Sequence, residues 1–318
     1  MKKKSMAAKV EEYIRFRRDH GTSICRSLEY DLKSFGKFAD THDYGRPLTV
    51  KLALKWATQR NCSRRRKIQL LNHLNSLAKY LIIDEPRTQL IPPILGSYPR
   101  WQARKEPYIF SIDEIVLLMK KAESVPVTKG YHITLSTIIG VLACTGLRIG
   151  EVIRLEKKDV DLDRRLLIVR DSKNRPSRLI PFDETMATKL KEYEEYRNLK
   201  FSYSECDNFF VNKSGKVLVY QNISKSWRNI LRKTAIGKNH RCRPRMHDLR
   251  HTFACRHLLR TNEQNLDMDI AIHSLSVYLG HTTLRETYWY VTAIPELMQI
   301  CSKRFETHVA ISRKKEKK

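Results

Sequence analysis

The 318-residue sequence has no glycine-rich phosphate loop, no Cys-x-x-Cys pair and no acidic cluster of metal-binding pattern. The first absence excludes a Walker-type nucleotide cradle, and the last removes the basis for a two-metal site. Cysteine occurs seven times, at Cys25, Cys62, Cys144, Cys206, Cys242, Cys255 and Cys301. An odd count without close pairs predicts reduced thiols in an intracellular protein, with Cys144 and Cys255 in buried, apolar surroundings. His240, Cys242 and His247 lie close together, but their spacing matches no zinc pattern, so no metal and no cofactor is expected. Long apolar runs are missing too. The longest, from Leu135 to Leu147, is interrupted by Ser136, Thr137 and Thr145 and is too short to cross a bilayer. Met1-Lys2-Lys3-Lys4 leads into Val10-Glu11-Glu12-Tyr13, so no signal peptide is read there, and a cytoplasmic protein without a membrane partner is expected. Negative charge is scarce: 34 Asp and Glu face 61 Lys and Arg, a formal net charge of +27. Solubility does not require such an excess. It points to an anionic polymer as partner, nucleic acid before membrane.

Hydrophobic residues make up 41% of the chain, enough for packed cores, and the length suits about two domains. Leu28, Leu32, Phe35 and Ala39 recur at helical spacing, as do Leu71, Leu74, Leu77, Ala78 and Leu81. Thr49 is placed to cap a helix carrying Leu52 and Trp56. These patterns predict a helical N-terminal domain over residues 1–85. Within it, Arg64, Arg65, Arg66 and Lys67 stand at a helix start and are candidates for phosphate contact. Residues 86–108 carry Pro86, Pro92, Pro93, Pro99 and Pro107 with Arg100, Arg104 and Lys105, and read as an extended basic linker that touches DNA. A second domain, 109–307, opens at the capping box Ser111 to Glu114. It contains a hairpin, Leu166–Val169 and Arg178–Pro181, around a polar turn. Asp183 is a cap for the next helix, Phe209–Val211 a candidate short strand, and 308–318 a basic tail. The expected fold is mainly α with a small antiparallel β-sheet, an α+β catalytic domain behind a helical DNA-binding domain.

Three boxes carry the chemistry. Thr145-Gly146-Leu147-Arg148-Ile149-Gly150-Glu151 places an arginine after a glycine turn. His247-Asp248-Leu249-Arg250-His251 puts a histidine and an arginine one helical turn apart, on one face. Leu279-Gly280-His281 is followed nine residues later by Tyr290, with Tyr288 beside it. Guanidinium groups match phosphate oxygens and stay charged at any working pH. Imidazoles donate or relay protons, and a tyrosine hydroxyl is a nucleophile. Together these groups can cleave a phosphodiester without a metal.

In order and spacing the three boxes resemble those of the tyrosine recombinases, the family of phage integrases and related site-specific DNA recombinases. The resemblance implies that Arg148 and Arg250 are the catalytic arginines, His247 and His281 the catalytic histidines, and Glu151 an acid that orients them. It selects Tyr290 over Tyr288 as nucleophile. The family carries a catalytic lysine on a hairpin, five residues before an arginine; Lys173 meets that spacing from Arg178, although Ser172 and Pro176 replace the family's glycine-rich turn. Its implied role is to protonate the leaving 5′-oxygen. His251 falls on another helix face and reads as structural. The resemblance further implies double-stranded DNA as partner, a 3′-phosphotyrosyl intermediate, and four protomers on two DNA sites, of this chain or with related recombinase subunits. The stretch from Pro295 to Phe305 is a candidate for the segment exchanged between neighbours. A type IB topoisomerase and an idle DNA-binding accessory of the same fold are the alternatives.

Overall fold

Two units divide the chain, Met1–Arg104 and Lys105–Lys318. The computed structural model describes residues 4–22, 24–43, 45–92, 106–124, 131–170, 177–292, 297–299, 302 and 306. Lys173, Arg100, Arg104, Lys105 and the tail 308–318 lie outside the described residues, as does most of Pro295 to Phe305.

The first unit contains α1 (Met6–Asp19), α2 (Arg26–Asp43), α3 (Val50–Thr58) and α4 (Arg64–Leu81). Ser5, Thr49 and Ser63 start α1, α3 and α4, each accepting from an N–H three residues on. That satisfies one of the donors a helix start leaves open. Asp40 of α2 accepts from the Met6 and Ala7 N–H groups. Gly36 lets α1 and α2 approach closely, since a Cβ there would lie 2.9 Å from Ala7 Cα. The stripes predicted from the sequence face inward: Leu32, Phe35, Leu52, Trp56, Leu74 and Leu77 are buried together. Each such side chain contributes roughly 1.5–3 kcal/mol by leaving water.

Two expectations need correction here. The start of the proposed linker is folded onto this unit: Gln89 N–H donates to Leu48 O, Ile91 N–H donates to Asn75 Oδ1, and the Ile91 side chain is buried. Helix α4 already ends at Leu81, before Pro86, and Ile91 covers apolar surface of this unit beyond it. Arg66 is not a free phosphate ligand. Its guanidinium lies 2.6 Å from the fully buried Asp31 carboxylate, which His73 Nδ1 also meets at 2.9 Å. A carboxylate taken out of water needs such partners.

In the second unit, α5 (Ile112–Ser124) opens with the predicted capping box, Glu114 N–H donating to Ser111 Oγ and Ser111 N–H to Glu114 Oε2. The apolar run becomes α6 (Tyr131–Thr145), whose Leu135, Ile138, Ile139, Val141 and Leu142 are all buried. The hydroxyls that interrupt the run are satisfied: Thr137 and Thr145 donate to carbonyls four residues back, and Ser136 donates to Glu123. Among the described residues, no helix is long and apolar enough to cross a membrane. Cys255 is buried but Cys144 is exposed, against expectation, because it lies on the outward side of the last turn of α6. After α7 (Ile149–Arg154) and a 3₁₀ turn, β1 (Val160–Asp161), β2 (Leu166–Val169) and β3 (Arg178–Pro181) form an antiparallel sheet in that order. Leu167 pairs with Ile180, and both are fully buried. Strand β1 was not predicted; two residues are too few to show a period. Phe209–Val211 is no strand. Val211 makes an isolated bridge to Val217, and Phe209 and Phe210 pack on Tyr193 instead. Asp183 caps α8 (Glu184–Lys200), as expected. Then come α9 (Tyr220–Arg232), α10 (His247–Glu263), α11 (Met268–Leu279) and α12 (Leu284–Thr292). Cys255, Leu258, Ile272, Leu275, Tyr290 and Leu297 join these last helices in a core of their own.

Candidate active site

Two glycine turns place the arginines. Gly146 follows α6 with φ +62°, and a Cβ there would sit 2.6 Å from the Phe253 ring. Only glycine takes that backbone at no cost and allows that approach. The turn sets Arg148 at the start of α7, where the Glu151 carboxylate accepts from the Arg148 N–H at 2.8 Å and from its guanidinium at 3.0 Å. Gly280, φ +64°, ends α11 in the left-handed conformation. A helix end leaves carbonyls without intrahelical partners and carries partial negative charge. Three arginines use them. Arg178 Nε donates to Tyr278 O at 2.9 Å, Arg250 to Leu279 O at 2.7 Å, and Arg148 to Leu279 O and Gly280 O at 3.3 and 3.4 Å. Arg250 also donates to Gly146 O at 2.8 Å, tying the two glycine turns together.

Glu151 meets Arg178 as well, at 2.9 Å. Burial alone would raise its carboxyl, but the Arg148 amide and the Arg178 and Arg148 charges outweigh that and hold it below the usual carboxylate range. Arg148 and Arg178 thus pair with one carboxylate, and Arg250 adds a third positive charge beside them, so the centre is positive. Arg250 is 2% exposed; burial first, then the Arg148 charge, lowers its pKa to about 10. It stays protonated near neutrality.

Tyr290 completes the cluster. It is 3% exposed, whereas Tyr288 on the same helix is 47% exposed. The Tyr290 hydroxyl lies within the electrostatic reach of Arg250 and Arg148. Burial raises its pKa, and the Arg250 and Arg148 charges oppose that rise. Its ring lies 5.8 Å from that of His281 and 5.3 Å from that of His251. His281 Nε2 is 3.0 Å from Arg250, and its Nδ1 is 2.7 Å from Thr287 Oγ1. His247 begins α10 at the rim, its ring 4.7 Å from His251. His247 reaches solvent, but the protein atoms packed around its inner side, and then the Arg250 charge, lower its pKa below the ordinary value. Among the described residues, no group of three or more His, Cys, Asp or Glu side chains is placed to hold a metal ion.

The structure therefore brings Arg148, Glu151, Arg250, His281 and Tyr290 together, with His247 at the edge. It adds three residues the motifs did not single out. Arg178 served only as a spacing marker, although an arginine beside apolar strand residues was a readable signal. His251, read as structural, packs directly on Tyr290. Thr287 carries no sequence signal apart from its place three residues before Tyr290.

Residues 109–296 match the phage integrase family. The chain belongs to that family. An integrase/recombinase-like protein of Sinorhizobium fredii, y4rB, is 32% identical over 304 residues, covering 93% of this chain and 96% of that one. The tyrosine recombinase XerC of Leptospira interrogans is 26% identical, over 95% of this chain and 93% of its own. The fold is also that of solved recombinases. XerH bound to a palindromic difH substrate superposes with TM-score 0.63 at 17% identity, over 94% of this chain and 85% of that one. The Tn1549 transposon integrase with circular intermediate DNA gives 0.63 at 16%, over 95% and 100%.

Proposed function

We propose that this integrase-family chain is a site-specific DNA strand-exchange enzyme with Tyr290 as nucleophile. The observation that carries this reading is the buried Tyr290 hydroxyl at the guanidinium cluster, while Tyr288 faces solvent. The Tyr290 oxygen loses its proton and bonds to the scissile phosphorus. The bond from phosphorus to the 5′-oxygen breaks, and Lys173 supplies the proton to that oxygen. Arg148 and Arg250 stabilise the charge that builds on the non-bridging oxygens. A 5′-hydroxyl from a partner duplex then attacks the phosphotyrosine, and Tyr290 leaves. The protein link conserves the bond energy, so no nucleotide hydrolysis, metal or cofactor is required. Four protomers on two DNA sites would bring the duplexes together. The test is strand exchange between two labelled duplexes in excess EDTA. Recombinant product is expected. Complete loss of cleavage on chelation, with DNA binding kept, would overturn the metal-free mechanism.

Both units are proposed to contact DNA. In the second, a cleft of about 370 Å³ is lined by Arg228, Arg232, Lys238, His240 and Arg243 among others, directly upstream of the His247 box. In the first, Arg64 and Arg65 are exposed at the start of α4. Arg64→Gln should reduce the slope of log affinity against log salt by about 0.9, the value for one lost phosphate contact. Arg66→Gln should leave that slope unchanged and instead cost about 1–2 kcal/mol of stability, a buried-pair loss discounted for the exposed part of Arg66. Salt titrations and melting curves of the two variants check this; an Arg66 variant that changes only the slope would return it to the DNA surface.

A further inference from the structure

Arg250 and His281 constrain each other through simple donor counting. A guanidinium has five N–H donors and no acceptor. Arg250 Nη2 lies 3.0 Å from His281 Nε2, so that nitrogen must present its lone pair. The ring proton of the neutral imidazole is then on Nδ1. At 2.7 Å from Nδ1 stands the Thr287 hydroxyl, which must accept it. Thr287 is fully buried, and it lies on α12 one helical turn before Tyr290. The His281 ring runs nearly parallel to that of Tyr290, at 26°.

We propose that Thr287 is a positioning residue for strand cleavage: it fixes His281 as the Nδ1–H tautomer and, through that ring, helps hold Arg250 at the reaction centre. The proposal rests on the strand-cleavage reading above. Without an acceptor at Nδ1, both tautomers become available. The Nε2–H form turns a donor toward the Arg250 donors and pushes the guanidinium away. Because Thr287 and Tyr290 share one helix, the same movement of α12 that displaces the nucleophile also releases the histidine. The arrangement of nucleophile and charge is thereby linked along a single chain of contacts, from Thr287 to His281 to Arg250.

Thr287→Val keeps the shape and removes the hydroxyl; Thr287→Ser keeps the hydroxyl. The full chain is labelled with ¹⁵N-histidine, and the His281 ring signals are identified by their loss in His281→Gln. Wild type should show a protonated Nδ1 and an unprotonated Nε2, and Thr287→Val should show a mixture. Single-turnover cleavage of a nicked duplex should fall on the order of 10- to 100-fold in Thr287→Val, the loss typical when a partner orienting a functional histidine is removed. Gel-shift affinity should hold, and Thr287→Ser should restore cleavage. A wild-type His281 carrying its proton on Nε2 overturns the proposal, even if the valine variant fails to fold. So does a valine variant with unchanged cleavage, or one that loses cleavage while the tautomer stays fixed. A wild-type chain that cleaves no duplex would instead remove the function proposed above, and the nitrogen spectra would still decide the tautomer.

Discussion

Tyr290→Phe is expected to abolish covalent protein–DNA adducts and leave DNA affinity nearly intact. The substitution removes one oxygen. The ring keeps its place against His281, His251 and Trp289, so the core it shares with Cys255, Leu275 and Leu297 is preserved. Losing the hydroxyl beside Arg250 costs little stability, since Arg250 retains the Gly146 and Leu279 carbonyls. Chemistry suffers completely, because the missing oxygen is the proposed nucleophile. Tyr288→Phe changes an exposed side chain and should form adducts at the wild-type rate. Trapping on a nicked duplex, followed by denaturing electrophoresis, separates the two. An inactive Tyr288→Phe with an active Tyr290→Phe would shift the register of the third box and take the proposed mechanism with it.

Arg250→Lys should lower the cleavage rate by about 10²–10³-fold, equivalent to the ~2.7–4 kcal/mol that one preorganised charge-stabilising donor supplies. Lysine keeps a positive charge, but a single ammonium cannot span Gly146 O, Leu279 O and His281 Nε2 as the planar fork does. It also gives up its proton more readily when buried. Alanine would be the poorer probe. It would strip the Gly146 carbonyl of the Arg250 donor, leave Leu279 O with only the longer Arg148 bond, and open a cavity at a side chain only 2% exposed, so lost folding would mask lost chemistry. Affinity should change far less than rate, since many other cations of this chain are available to the DNA backbone. Single-turnover cleavage and gel shifts on one duplex measure both. Equal losses in the two would show that Arg250 anchors DNA and does not serve the transition state.

The helices and their caps were legible because each rests on local chemistry. Ser111 with Glu114, Thr49 and Asp183 act within three residues of themselves, and the stripe from Leu71 to Leu81 needs only a core to face. The boxes were legible because the residue types are rare in that order. What the sequence withheld is long-range. Arg66 looks like its neighbours Arg64 and Arg65 until Asp31, 35 residues away, is found beneath it. Arg178 meets its partners Tyr278 and Glu151 only through the tertiary fold. His251 is turned away from its neighbour Arg250 in a helical projection but shares a face with His247, four residues before it, and α12 packs there and brings Tyr290 to it. Lys173 lies outside the described residues, so its role stands on spacing alone.

The arginines at the end of α11 are held by main-chain oxygens of Tyr278, Leu279 and Gly280. A backbone carbonyl survives every amino-acid replacement. Tyr278 and Leu279 are therefore free to vary for packing without deleting an anchor, and the charge arrangement is insulated from drift at its own contact points. The vulnerability is concentrated where the path of the chain is decided. A side chain at Gly280 meets a strained φ and would place its Cβ 3.0 Å from the Arg178 guanidinium. One methyl group there disturbs several anchors at once, whereas side-chain changes at the two preceding positions remove none.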